Sequence, residues 1–168
     1  MSSAKPTSSA KPTSPDKPAV TTAKDQHFAM LHLTVPRSKI QEVMGPGLGE
    51  VNAAIAAQGA AAAGPWFTHH LKMDPEVFDF EICVPVKKPV SPSGRVKPGR
   101  IKAGQRVART VYHGGYEGLG EAWGEFLAWV DSQGLKPAPD LWEFYTTGPE
   151  SSPDPGSWRT ELVKPLLE

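Results

Sequence analysis

The chain has 168 residues, 39% of them hydrophobic, and a formal net charge of zero. One globular domain is the default at that length. The charge balance excludes a global attraction to nucleic acid, and no segment approaches the ~20 apolar residues of a membrane helix.

Residues 1–25 hold almost no large apolar side chain and contain a doubled SSAKPT (2–7 and 8–13). Such a segment buries too little surface to offset the entropy of ordering it, so it is expected to be a disordered tail outside a domain spanning 26–168. Phe28 to Val35 is apolar enough for a strand and stops at Pro36. Ile40, Val43, Met44, Leu48, Val51 and Ile55 then recur at helical spacing, with an interruption expected at Pro46-Gly47 and a stop at Gly59. Strands are expected at about 66–72 and 77–85. Cys83, the single cysteine, lies in the second of these and reads as a small buried hydrophobe. A lone cysteine forms no intrachain disulfide and fits a reducing cytoplasm, the location expected here.

Residues 87–102 place six Lys and Arg among Pro, Gly and Ser, and read as a solvated linker. No aromatic is interleaved there to stack on bases. Arg106 to His113 then reads as a strand, and Leu119, Trp123, Phe126, Leu127 and Val130 mark one face of a helix that Gly134 closes. Strands at about 141–147 and 157–165 follow.

The chain therefore says the same thing twice, over about 26–86 and 103–168, with offsets of 75 residues at Gly59/Gly134, 76 at Trp66/Trp142 and 80 at Glu81/Glu161. Each copy is strand–helix–strand–strand. The fold class is α+β: a tandem βαββ duplication with pseudo-two-fold symmetry, antiparallel sheets, two main helices and a ligand groove where the copies meet. By this alignment Phe67 stands where the second copy has Glu143, an acid inside an apolar strand, and His69 stands where it has Tyr145.

The run His113-Gly114-Gly115-Tyr116-Glu117-Gly118-Leu119-Gly120-Glu121-Ala122-Trp123, with Gln133-Gly134-Leu135, Trp142-Glu143-Phe144-Tyr145 and Trp158-Arg159-Thr160-Glu161-Leu162, resembles the GyrI-like small-molecule-binding family. The same domain forms the effector-binding half of AraC-type and MerR-type bacterial transcription factors such as BmrR. The resemblance covers roughly residues 27–168 and is more specific in the second half. It implies two βαββ units around a cleft. It also implies that Glu143, in the matching E-x-Y strand, and Trp158 face the ligand, as a glutamate at the bottom of an aromatic cleft meets cations in the multidrug-binding members. Residues 1–26 are too short and polar for a DNA-reading domain, so a stand-alone member is expected.

An unpaired carboxylate in a buried strand is expensive and needs a partner or a function. Strand alternation puts Glu143 with Tyr145 on one face and Trp142 on the other, in the core. The candidate ligand-binding set is Glu143, Tyr145, Trp158, His69, Phe67, Tyr112, Tyr116 and Trp123. His70 is expected to face away, and Glu81 and Glu161 to serve as scaffold. The histidines show no metal-ligand spacing, so neither metal nor cofactor is expected. Two functions follow: capture of an amphipathic, often cationic, aromatic compound, or hydrolysis of cyclopropane-containing DNA alkylators with Glu143 and Tyr145 as the catalytic pair. The wider family also holds an adaptor that inhibits a topoisomerase, so a protein partner stays open.

Overall fold

The structure is a computed structural model that describes residues 17–73, 75–148 and 153–167. Its elements run β1 (Ala19–Thr22), β2 (Gln26–Pro36), α1 (Ile40–Ala57), β3 (Phe67–Met73), β4 (Val77–Val86), β5 (Val96–Ile101), β6 (Arg106–His113), α2 (Leu119–Ser132), β7 (Leu141–Thr147) and β8 (Arg159–Pro165). All eight strands form one antiparallel sheet in the order β1-β6-β8-β7-β3-β4-β2-β5. This is an α+β fold with a single sheet in place of two paired ones.

Each helix covers its own half of one sheet face. Val51, Ala54 and Ile55 of α1 pack on Leu31, Phe80, Ile82 and Val84. Trp123, Phe126 and Val130 of α2 pack on Ala108, Leu141 and Leu162. Helix α1 runs unbroken through Pro46. A Cβ on the neighbouring Gly47 would stand 2.5 Å from Ile82 Cδ1, so the glycine lets the helix sit close on β4. Both helices stop at a glycine with left-handed backbone, Gly59 (φ 73°) and Gly134 (φ 72°), a conformation that costs glycine nothing.

Two expectations are corrected here. Residues 19–22, assigned to the tail, form β1 and pair with β6; the expectation for residues 1–16 lies outside the described residues. Residues 96–101, assigned to the linker, form β5 on the edge beside β2. Val96 is 1% exposed, Pro98 is tolerated because an edge strand need not donate outward, and Gly99 makes room for the Phe28 ring, which a Cβ would meet at 2.3 Å.

These two edge strands are exchanged. The strand before the first βαββ unit pairs with the second unit, and the strand before the second unit pairs with the first. Only Ala23–Asp25 join β1 to β2, a reach of about 14 Å. Six strand spacings separate β1 from β2 in the sheet order, ~29 Å in a flat sheet. The four residues 102–105 join β5 to β6 across the same separation. The sheet must therefore curl, and the two connections lie together, with Ala23 N–H donating to Gln105 O (2.8 Å) and Gly104 N–H to Ala23 O (3.0 Å). The helix-free face is the concave one. On it Phe28, Phe67 and Cys83 form a third cluster with Met30, Ile101, Trp142 and Phe144.

The connection supplied by β1 is structural. A chain beginning at residue 26 is expected to melt about 3–6 °C below one beginning at residue 17, a loss of ~1–2 kcal/mol for a domain of this size. Equal midpoints in a thermal scan by circular dichroism would show that β1 contributes nothing.

Candidate functional site

The two halves of the sheet meet at β3 and β7, where Thr68 lies opposite Glu143, Phe67 opposite Phe144, His69 opposite Trp142 and His70 opposite Leu141. On the neighbouring strands Thr68 pairs with Ile82 as Glu143 pairs with Leu162, and His69 pairs with Glu81 as Phe144 pairs with Glu161. Each strand also bulges at the next equivalent position, Leu71 in β3 and Thr146 in β7. Thr68 is thus the counterpart of Glu143, and His70 that of Tyr145. The pseudo-two-fold axis passes between Thr68 and Glu143.

This corrects the internal alignment by one residue. The offset of the helix-stopping glycines holds through the strands; matching Trp66 to Trp142 does not, because Trp66 precedes its strand while Trp142 is the second residue of its own. A slip of one residue exchanges the faces of a strand. Phe67 and His69 therefore point to the concave face, away from Glu143, and Thr68 and His70 share the helix-covered face with it.

Glu143 is 8% exposed. Trp123 Nε1–H of α2 donates to Oε2 (2.7 Å), and the Tyr145 hydroxyl donates to Oε1 (2.7 Å). The Tyr145 hydroxyl also meets Thr68 Oγ1 at 2.8 Å, which ties both sides of the axis into one chain. Burial beside a carboxylate pushes the Tyr145 phenol well above its ordinary value, so it stays a donor. Both donors to Glu143 are neutral, and among the described residues no Lys or Arg forms an ion pair with it. Thr160, opposite Tyr145 on β8, is fully buried, and its hydroxyl has no protein partner among the described residues.

A chain of aromatic rings leads outward from Tyr145, the phenol that bonds this carboxylate. Trp66 lies 4.4 Å from Tyr145 between ring centroids, Tyr116 lies 5.7 Å from Tyr145, and Trp158 lies 5.0 Å from Tyr116. Of the predicted residues, Glu143, Tyr145, Trp123, Tyr116 and Trp158 are thus brought together. The Tyr112 hydroxyl donates to Gly115 O (2.7 Å) and holds the glycine turn before α2. Trp66, Thr68, Thr160 and His70 were missed, and strand parity with the correct offset identifies Thr68 and His70. His70 stacks on Phe80 (5.3 Å, 15°), and burial holds its imidazole below its ordinary value, against the pull of Glu143.

His69 occupies a different environment. It lies flat on Trp142 (3.8 Å, 8°), with Nδ1 3.0 Å from Glu81 Oε1 and Nε2 2.7 Å from Asp140 Oδ2. Burial opposes its charge, but the two carboxylates outweigh burial and raise its pKa. Glu161 pairs with Arg109 on the same face. Trp142 is only half-buried, in this concave aromatic cluster and not in a helix-covered core. Cys83 is fully buried, and burial pushes its thiol up. Among the described residues, no three His, Cys, Asp or Glu side chains are grouped to hold a metal, and no helix is long and apolar enough to cross a membrane.

One curled antiparallel sheet, two helices on its convex face and an acid at the seam define a duplicated α+β small-molecule-binding domain. The chain belongs to the GyrI-like small molecule binding domain family, which matches residues 16–167. The C-terminal domain of EcmrR has a similar structure (TM-score 0.79, 21% identity, 90% of this chain and 98% of that one). In the complex of EcmrR with DNA the chain spans 57% of the EcmrR length. A hydrolase from Listeria innocua (TM-score 0.64, 13% identity, 92% and 94% covered) and SAV2435 bound to tetraphenylphosphonium (TM-score 0.60, 11% identity, 90% and 94% covered) share the fold. No curated protein sequence matches the chain.

The two carboxylates around His69 fix a pH dependence. A raised pKa means that His69 stabilises the fold fully below its ordinary value of 6.5 and loses that contribution as pH rises through the raised one. Asp140, whose pKa is lowered against burial mainly by the His69 hydrogen bond, contributes above its ordinary 3.8 and loses it as pH falls. His69→Gln should therefore cost ~1 kcal/mol more at a pH of about 5.5 than at about 9 in urea unfolding. An equal cost at both would show that His69 is neutral in the fold.

Proposed function

We propose that the chain captures an amphipathic aromatic cation at Glu143. The observation that carries this reading is a buried carboxylate on the pseudo-two-fold axis whose hydrogen bonds come from neutral donors. Neutral donors satisfy its lone pairs and leave its charge uncompensated, so a cation gains more there than at a surface acid. Trp66, Tyr145, Tyr116 and Trp158 add ring faces that attract cations and bury flat apolar surface. The Thr160 hydroxyl offers one further polar contact. Tetraphenylphosphonium, bound by SAV2435 on the same fold, is a ligand of this chemical class. Expected consequences are a sequestering protein that works in the cytoplasm and binds several related cations.

A second reading is favoured by one observation, the neutral His70 imidazole on the same face as Glu143 and Tyr145. In a hydrolase of cyclopropane-containing alkylators, Glu143 would take a proton from water as its oxygen bonds to a ring carbon. The ring C–C bond would break, its electron pair would pass into the conjugated system of the substrate, and the anion formed there would take up the proton that Glu143 received, which restores the carboxylate. The product would carry the mass of one added water.

Glu143→Gln keeps the shape and removes the charge. Its affinity for tetraphenylphosphonium should fall by ~1–3 kcal/mol, while a neutral aromatic dye is affected less and stability holds or rises. Equal affinities for both ligands in both proteins, by titration calorimetry, would remove Glu143 from the site. Incubating wild type with a cyclopropane alkylator and finding the water adduct by mass spectrometry would establish turnover; Glu143→Gln should abolish it.

A further inference from the structure

The curl of the sheet creates a second concavity, on the face away from Glu143. It has a volume of ≈ 900 Å³ and is larger than the ≈ 330 Å³ hollow beside α2. Its floor is Trp142 and Phe144, and its mouth is framed by the two crossing connections, which bring Lys24 and Lys102 to the rim. The volume falls in the range of small-molecule sites, ~300–1,000 Å³, and a barrel mouth is a common place for one.

Its charges do not balance. Glu161 holds Arg109, Asp25 holds Arg100 at 2.7 Å, and Asp140 and Glu81 share the single His69, away from the rim. Lys24 and Lys102 form no ion pair among the described residues, so the rim carries surplus positive charge. Deeper in the wall, Arg109 Nε–H is buried and has no protein partner among the described residues. A buried donor of that kind costs free energy until an acceptor reaches it. Trp142 on the floor carries the His69 ring flat against its other side, which fixes the indole as a rigid platform for a flat ring.

We propose that this concave face is a second small-molecule site whose ligand is a flat aromatic carboxylate. Its ring lies on Trp142 and Phe144, and its carboxylate takes the Arg109 Nε–H and the field of Lys24 and Lys102. The site is independent of the reading given to Glu143, from which the whole sheet separates it, and its charge preference is opposite.

The test uses the full chain and 2-naphthoate, with 2-naphthylmethanol and 2-naphthylmethylammonium as neutral and cationic counterparts of the same shape. Binding is followed by calorimetry and by the Trp142 indole N–H resonance, assigned through Trp142→Phe. Saturable binding of 2-naphthoate should shift that resonance, and the neutral and cationic compounds should bind at least about 10-fold more weakly. The exposed pair Lys24→Glu/Lys102→Glu, checked for an unchanged NMR fingerprint, should weaken 2-naphthoate at least about 10-fold. Glu143→Gln should leave 2-naphthoate binding unchanged. The proposal is overturned by absence of saturation, by shifts at Trp123 in place of Trp142, by equal affinity for the three compounds, or by an unaltered affinity in the lysine double variant.

Discussion

The pairing of β3 with β7 is the joint on which the molecule depends. It puts Thr68 against Glu143 across the pseudo-two-fold axis, and every other side chain at the seam follows from that choice. Because strands alternate, fixing this one pair decides that Glu143, Tyr145, Thr68 and His70 lie under the helices. It equally decides that Phe67, His69, Trp142 and Phe144 lie on the concave side. The same pairing explains why a charge survives in a buried strand. The second unit supplies both donors, an indole from α2 and a phenol from β7 that bond the two carboxylate oxygens, and the first unit joins through Thr68 on that phenol. A perfectly symmetric molecule would place a second acid at Thr68, against the first. Two carboxylates side by side repel, and the hydroxyl at Thr68 resolves this by bonding Tyr145, which in turn bonds Glu143.

The second constraint is the shortness of the connections Ala23–Asp25 and 102–105. They exchange the edge strands between the two units, and by doing so they bend the sheet. Curvature gives the helix-free face an interior, where Phe28 of β2 reaches Trp142 of β7 with ring centroids 5.9 Å apart. It also means that the two units cannot separate without unpairing β1 from β6 and β5 from β2. The duplicated halves are therefore one cooperative body.

Much of this was legible in the residues. The duplication, the helix faces and the stops at Gly59 and Gly134 follow from periodicity and from the one residue that tolerates φ near 70°. The acid at Glu143 is conspicuous for the same physical reason that makes it costly. The edge strands were not legible: β1 (AVTT) and β5 (VKPGRI) are short and set Val20, Val96 and Ile101 among Thr, Lys, Arg, Pro and Gly, so composition marks them as tail and linker. Their stability comes from the partner strand, which no local window contains. The faces of β3 were lost to a one-residue error in aligning Trp66. In a period-two element such an error inverts everything, whereas in a helix it turns a side chain by only about 100°. Nor could spacing reveal that the Trp123 indole would close on Glu143, because that contact needs the packing of α2 on β7.

His69 and His70 show what the sheet does electrostatically. They are adjacent in sequence and are displaced in opposite directions from the same ordinary value. On the concave side, two carboxylates overcome burial and favour the imidazolium of His69. On the helix side, burial among Phe80 and Phe78 overcomes the attraction of Glu143 and favours the neutral ring of His70. If His70 were the cation, it would neutralise Glu143, and a cationic ligand would gain nothing by entering. Keeping His70 neutral leaves the carboxylate available, while the charge that chain position might have supplied sits one residue away, behind Trp142. A single β-strand thus favours a protonated imidazole on one face and a neutral one on the other, and the alternation of side chains keeps the His69 charge away from Glu143.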